Sequence, residues 1–184
     1  MKSVEGIILK KTPRREADSV FTLYTKEHGL MHLQAKGVRK QTAKLKAGLS
    51  VFNWVELFYV PAKYLPIATD FKVKDDFKVV KNDIKRLKLA SFLAHVMNRV
   101  FEPGLSDPAV WWSVLGYFND INHPDLAREG MIKLVYSWCY RMLVLNGLKP
   151  PHSITGNLKS STEFKNIVDG LFEYHFGINI SKLI

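Results

Sequence analysis

The sequence predicts an α+β protein, with a small antiparallel β-barrel over residues 1–76 followed by an all-helical domain over 77–184. Three observations predict it. Residues 1–76 hold five short apolar or alternating runs parted by turn residues, with no helical period between them. Beyond residue 77 apolar residues recur three to four apart. Across the 184 residues, hydrophobic residues are 47% and charged residues 24%, the balance of a globular chain rather than a disordered or collagen-like one.

The first strand is expected over Val4 to Lys11, apolar with a basic end, and Pro13-Arg14-Arg15 turns it. Asp18 to Thr25 mixes β-branched and aromatic residues and ends at His28-Gly29. In the third run, Leu30 to Val38, Met31, Leu33 and Ala35 alternate with His32, Gln34 and Lys36. Leu49 to Val60 and Tyr64 to Val73 complete the barrel, with Pro61 and Pro66 as turn signals. In the fourth run Phe52, Trp54, Glu56 and Phe58 share one face and Val51, Asn53, Val55, Leu57 and Tyr59 the other. Pattern alone does not say which face is inside.

The first long helix is expected over Asn82 to Phe101, stopped by Pro103-Gly104. Asp107-Pro108 has the form of an N-cap with proline at the first helical position, opening a helix to about Ile121. Pro124 is read as opening a third helix, which ends at Asn146-Gly147. Ser160 to Glu163 has the form of a capping box, and its helix ends near Gly177.

Charge carries the first functional indication. The net charge is +10, and the isoelectric point near 9.6 points to a polyanion: nucleic acid first, an anionic membrane surface second. Residues 1–76 hold 14 basic and 8 acidic residues. No acid lies between Glu27 and Glu56, and that interval contains Lys36, Arg39, Lys40, Lys44 and Lys46. Ordinary surfaces mix signs, so this run is read as a phosphate-contacting loop, the alternative being a solvated loop. Arg14 and Arg15 in the first turn are further candidates. Tyr24 and Trp54 are candidates for base stacking, with core packing the alternative for each. Lys78, Lys81, Lys85 and Lys88, with Arg86 beside them, form a second basic strip at helical spacing. It is either the outer face of an amphipathic helix or a contact for nucleic acid or an acidic peptide.

Enzymatic readings find little. There is no phosphate-cradling glycine motif and no H-E-x-x-H. His28 and His32 flank a turn and a strand rather than sharing a helix face, so no metal site is expected. Cys139, the one cysteine, excludes an internal disulfide and sits among Trp138, Tyr140 and Leu143, where a buried inert thiol is expected. No run reaches the length of a membrane-spanning helix, and the N-terminus lacks the apolar core of a signal peptide, so a cytoplasmic protein is expected. No cofactor is expected.

These segments, in order, resemble the RecO family of bacterial recombination mediators. The opening VEGIILKKTPRREADSVFTLYTKEHGLMHLQAKGVRK is similar to that family's N-terminal signature, through Glu5 to Leu9, Glu16-Ala17-Asp18, Glu27-His28-Gly29 and Ala35 to Lys40. The helical half resembles it in pattern, through the S-D-P start of a helix, LNGLKP, and the tail FEYHFGINISKLI. The four-cysteine zinc knuckle of many members has no counterpart, because PPHSITGNLKSST at that place contains no cysteine.

The resemblance implies an OB-fold barrel, a non-enzymatic role, and a bacterial, nucleoid-associated protein. It implies binding of single- and double-stranded DNA, strand annealing, and partnership with RecR and the acidic C-terminal tail of single-stranded-DNA-binding protein, so as to help load RecA. Lys81, Lys85, Lys88, Arg128, Lys133 and Arg141 are the candidate rim charges for the acidic partner, the alternative being ordinary helix-surface cations. Two other classes stay open: an RNA- or ribosome-binding OB-fold protein, and an adaptor whose charge serves acidic protein tails only.

Overall fold

A computed structural model describes residues 1–40, 44–148 and 161–184, with residues 46 and 47 described by their backbone alone. These residues form two compact units. One comprises Met1–Lys78 with Phe101–Trp111, the other Val79–Val100 with Trp112–Ile184.

In the first unit, five strands close into a barrel: β1 (Lys2–Arg14), β2 (Asp18–Thr25), β3 (Gly29–Ala35), β4 (Trp54–Val60) and β5 (Ile67–Asp75). Their order around the barrel is β1-β2-β3-β5-β4, and a four-residue helix, α1 (Leu45–Gly48), lies between β3 and β4. This is a five-stranded OB-fold barrel. Strand β1 is long enough to serve both neighbours. Lys2 to Ile7 pair with β4, Gly6 to Arg14 pair with β2, and the register slips between Ile8 and Lys10. Closure depends on one parallel contact, Gln34 of β3 against Ile67 of β5.

Period-two alternation fills the interior. Ile8, Phe21, Leu23, Leu33, Val55, Leu57 and Tyr59 point inward and are buried, and Leu49 joins them just beyond α1. That settles the fourth strand, whose Trp54, Glu56 and Phe58 are on the outer face, partly exposed. Strand β2 breaks the pattern, because Phe21 to Thr25 are all buried. Its outer face is covered by residues 101–106. Gly29 and Leu30 bridge to Pro103, and Gly104 N–H donates to the Leu30 carbonyl at 3.1 Å. Gly29 has φ +60°, and a Cβ there would lie 1.9 Å from the Leu105 carbonyl oxygen, so only glycine fits both the turn and the close approach.

The second unit and the chain leading to it carry five further helices: α2 (Lys78–Asn82), α3 (Ile84–Val100), α4 (Pro108–Asn122), α5 (Arg128–Leu145) and α6 (Ser161–Phe176). A 3₁₀ turn at Ile180–Lys182 follows. The unit's core includes Leu93, Val96, Met97, Phe118, Val135, Met142, Leu143 and Phe172. Asp107 accepts from the Ala109 N–H at 2.7 Å, the cap expected there. Gly147 ends α5 with φ +73° and donates to the Val144 carbonyl.

Several expectations need correction. Helix α1 was not expected between the strands. The first long helix is divided at Asp83 into α2 and α3, because Asp83 accepts from the Lys85 N–H and so caps a fresh helix. Pro124 does not open α5. Residues 123–127 are a connection, and the helix begins at Arg128. Ser160 of the capping box and the segment PPHSITGNLKSST, except its last two residues, lie outside the described residues.

Candidate nucleic-acid interface

The interface candidate is the end of the barrel where the β1–β2 turn, the chain leaving β3 and the β4–β5 loop come together. Asp18, the first residue of β2, joins them. One carboxylate oxygen accepts from the Gly37 backbone N–H at 2.8 Å and the other from the Gln34 side-chain amide at 2.7 Å. Gln34 in turn donates its backbone N–H to the Pro66 carbonyl at 2.8 Å. Arg39 fastens the other side. Its backbone N–H donates to Ala17 at 2.9 Å and its guanidinium to the Arg15 carbonyl at 3.2 Å. Gly37, at φ +64°, makes the turn that brings Lys40 N–H back to its carbonyl at 3.0 Å.

The spaced pieces of the N-terminal signature are therefore partners in space. Ala17-Asp18 holds Gly37 and Arg39 of the A-K-G-x-R-K stretch. Glu27 of the E-H-G turn accepts from the Glu5 N–H at 3.0 Å, and Lys26 N–H donates to the Glu5 carbonyl at 2.9 Å.

Around Asp18 stand Arg14, Arg15, Lys36, Arg39 and Lys40, all exposed, and Lys44 is exposed further along the chain. Among the described residues none of these six forms an ion pair with a carboxylate. The Gly37 N–H holds the Asp18 carboxyl below its ordinary value; burial opposes this, and the Gln34 amide and the charges of Arg15 and Lys36 add to it. Asp18 is thus an anionic fastener under a cationic rim. The side chain of Lys46 lies outside the described residues.

The two aromatic candidates are not part of this rim. Tyr24 has no exposed surface and meets Phe101 edge-on with centroids 5.7 Å apart. Burial, with Asp107 nearby, pushes its hydroxyl up to about 12. It is a core residue, buried by the strap over β2. Trp54 lies opposite Ile7 on the outer face of β4 and donates its indole N–H to Glu5 at 2.9 Å, and Glu5 pairs across strands with Glu56. Two carboxylates on that face oppose a phosphate chain. The aromatic on the loops is Tyr64, 81% exposed in the β4–β5 loop, with the Lys63 ammonium 5.5 Å from its ring centre. The fifth strand, expected from Tyr64, begins at Ile67, so Tyr64 is on the loop before it, and its position between Pro61 and Pro66 was the available signal.

The helical candidates sort differently. Lys85, Lys88 and Arg128 meet around a groove of about 390 Å³ floored by Leu89, Met131 and Ile132, and Lys165 completes its rim. Lys133 lines neighbouring grooves, one of which shares Ile132, Tyr136 and Lys165 with the first. Arg141 lines a separate one with Tyr117 and Trp138. Lys81 belongs to α2, across the break at Asp83. Arg86 is buried and donates to the carbonyls of Ile121, His123, Pro124 and Leu126, so it is structural. No helix among the described residues is long and apolar enough to cross a membrane.

Comparison with known proteins follows the same division. Residues 1–77 match the family model described as recombination protein O N terminal. The chain is 30% identical over 107 residues to the DNA repair protein RecO of Moorella thermoacetica, covering 58% of this chain and 40% of that protein. It is 26% identical over 143 residues to that of Syntrophomonas wolfei, covering 76% and 57%. The match to the protein of Listeria monocytogenes serotype 4b is 22% over 199 residues, covering 100% and 76%. The chain thus spans about half the length of the first two relatives and three quarters of the third. With the barrel, the interlocked signature and these relatives in agreement, residues 1–77 are similar to the N-terminal part of recombination protein O, and the similarity to proteins named DNA repair protein RecO extends into the helical unit.

Proposed function

We propose that the cationic end of the barrel binds a sugar-phosphate chain, and that through it this protein engages single- and double-stranded DNA, without catalysis of its own. The observation that carries the reading is the cluster of the exposed cations Arg14, Arg15, Lys36, Arg39 and Lys40, drawn from two loops and tied together through Asp18 and Arg39. Exposed cations held in no close ion pair among the described residues are available to displace counterions from phosphates. Shielding phosphate repulsion would let two complementary strands meet, which supports annealing. Assistance to RecA loading, together with RecR, follows from the similarity to RecO.

A fluorescent oligonucleotide titration at several salt concentrations tests it. Affinity is expected to fall steeply with salt. Replacing Arg39 and Lys40 by alanine removes two contacts and flattens the log–log slope by about 1–2 units. An unchanged slope in the double variant takes this loop out of the site. Competition by RNA of equal length decides the polymer. Binding of acidic tails without any oligonucleotide binding at low salt would leave only the adaptor role.

A second binding surface is supported by the groove of Lys85, Lys88, Arg128 and Lys165. Its apolar floor and cationic rim suit an acidic peptide with an apolar end, such as the tail of single-stranded-DNA-binding protein.

A further inference from the structure

We infer that the β4–β5 loop is a base-stacking platform, with Tyr64 as its stacking residue, and that this gives the cationic rim a preference for unpaired over paired DNA. The inference rests on the phosphate-binding reading of the same rim and adds what that reading lacks, a contact that tells one strand from two.

Tyr64 is 81% exposed on a loop that is otherwise held in place. Pro61 and Pro66 restrict the backbone at both ends of the loop, and the Gln34 N–H fixes the Pro66 carbonyl at 2.8 Å. The Lys63 ammonium lies over the ring at 5.5 Å from its centre, and the residue nevertheless stays 81% exposed. Such a pairing offers one nucleotide both a π-face and a charge for its phosphate.

The loop also stands at the right place. Gln34, which holds Pro66, also bonds Asp18, the residue that holds Gly37 of the cationic loop. Lys36 is two residues from Gln34 and Tyr64 two from Pro66. At about 3.4 Å per residue the ring lies within roughly 20 Å of Lys36, inside the reach of a strand in a site of about 4–16 nucleotides. A base can stack on Tyr64 only if it is not already stacked and paired, so duplex DNA gains the charges and not the ring.

The experiment compares Tyr64→Ala, Tyr64→Trp and the unchanged protein on an oligothymidine and on a blunt duplex of equal length, each at several salt concentrations. Tyr64→Ala is expected to weaken oligothymidine binding about tenfold, to leave duplex affinity within twofold, and to leave the salt slope unaltered, since no charge is removed. Tyr64→Trp is expected to retain or raise single-strand affinity. An unchanged single-strand affinity in Tyr64→Ala, or an equal loss on both ligands, overturns the stacking role while salt-dependent binding still upholds the phosphate site. If the unchanged protein binds neither oligonucleotide, the phosphate site fails first and the stacking role with it. The side chain is exposed, so the alanine variant is expected to keep its fold, which its circular dichroism checks.

Discussion

Arg86 is the sharpest test of which cations serve structure and which serve partners. It lies in the most basic stretch of the helical unit, between Lys85 and Lys88, yet its side chain is only 5% exposed. Its Nη1 donates to the carbonyls of Ile121 and His123, both at 2.6 Å, and Nη2 to Pro124 at 3.0 Å; Nε lies 3.4 Å from the Asp83 carboxylate. These carbonyls end α4 and run through its connection to α5, so the guanidinium supplies donors to a helix end and its connection, where the His123 carbonyl also accepts from the Leu126 N–H at 3.2 Å. Arg86→Met keeps much of the stem and removes every donor. Two short charge-assisted bonds contribute about 1.5–3 kcal/mol each, and the saved desolvation of the guanidinium offsets part of this, so the expected loss is about 3–4 kcal/mol. Urea unfolding followed by far-ultraviolet dichroism measures it, with Lys88→Met as the exposed control, expected within about 0.5 kcal/mol. A loss below about 1 kcal/mol for Arg86→Met would refute the capping role and return this residue to the candidate partner surface.

Two further outcomes follow from the sites. The folded-state pKa of Asp18 is depressed, so its hold on Gly37 is complete above its ordinary value of 3.8 and is lost as pH falls through the lower, folded value. The Gly37 amide resonance is therefore expected to titrate with a midpoint below 3.8, and a midpoint at or above it would contradict the tether. In the helical groove, Lys88→Glu is expected to weaken an acidic peptide ending in an apolar residue by about tenfold or more without changing oligonucleotide affinity. A peptide isotherm that the charge reversal leaves untouched would remove the groove from the partner surface.

The barrel was legible because its inward residues alternate with partly exposed ones in β4, and in β3 from Leu33 onward. In β2 that signal is lost. Both faces are buried, the outer one by residues about eighty positions later, so no local pattern could separate Tyr24 from a surface aromatic. Helix α1 is a single turn in a Lys- and Ala-rich stretch, too short to show a period. Pro124 carried a valid helix-start signal, which the Arg86 guanidinium overrides by gathering the surrounding carbonyls. The cationic run was legible from its missing acids. Its fastening by Asp18 was not, because that acid lies outside the run in sequence and becomes its neighbour only through the β2–β3 pairing. Tyr64 was legible in principle from its flanking prolines.

The strap over β2 has a consequence for synthesis. Chains are made from the N-terminus, so all five strands are synthesised before Pro103 and Leu105. Until then the outer sides of Tyr24 and Leu30 stay wet, and α3 must be made in the meantime. At bacterial elongation rates the interval is on the order of seconds, long enough for a chaperone to hold the nascent barrel at that unfinished seam.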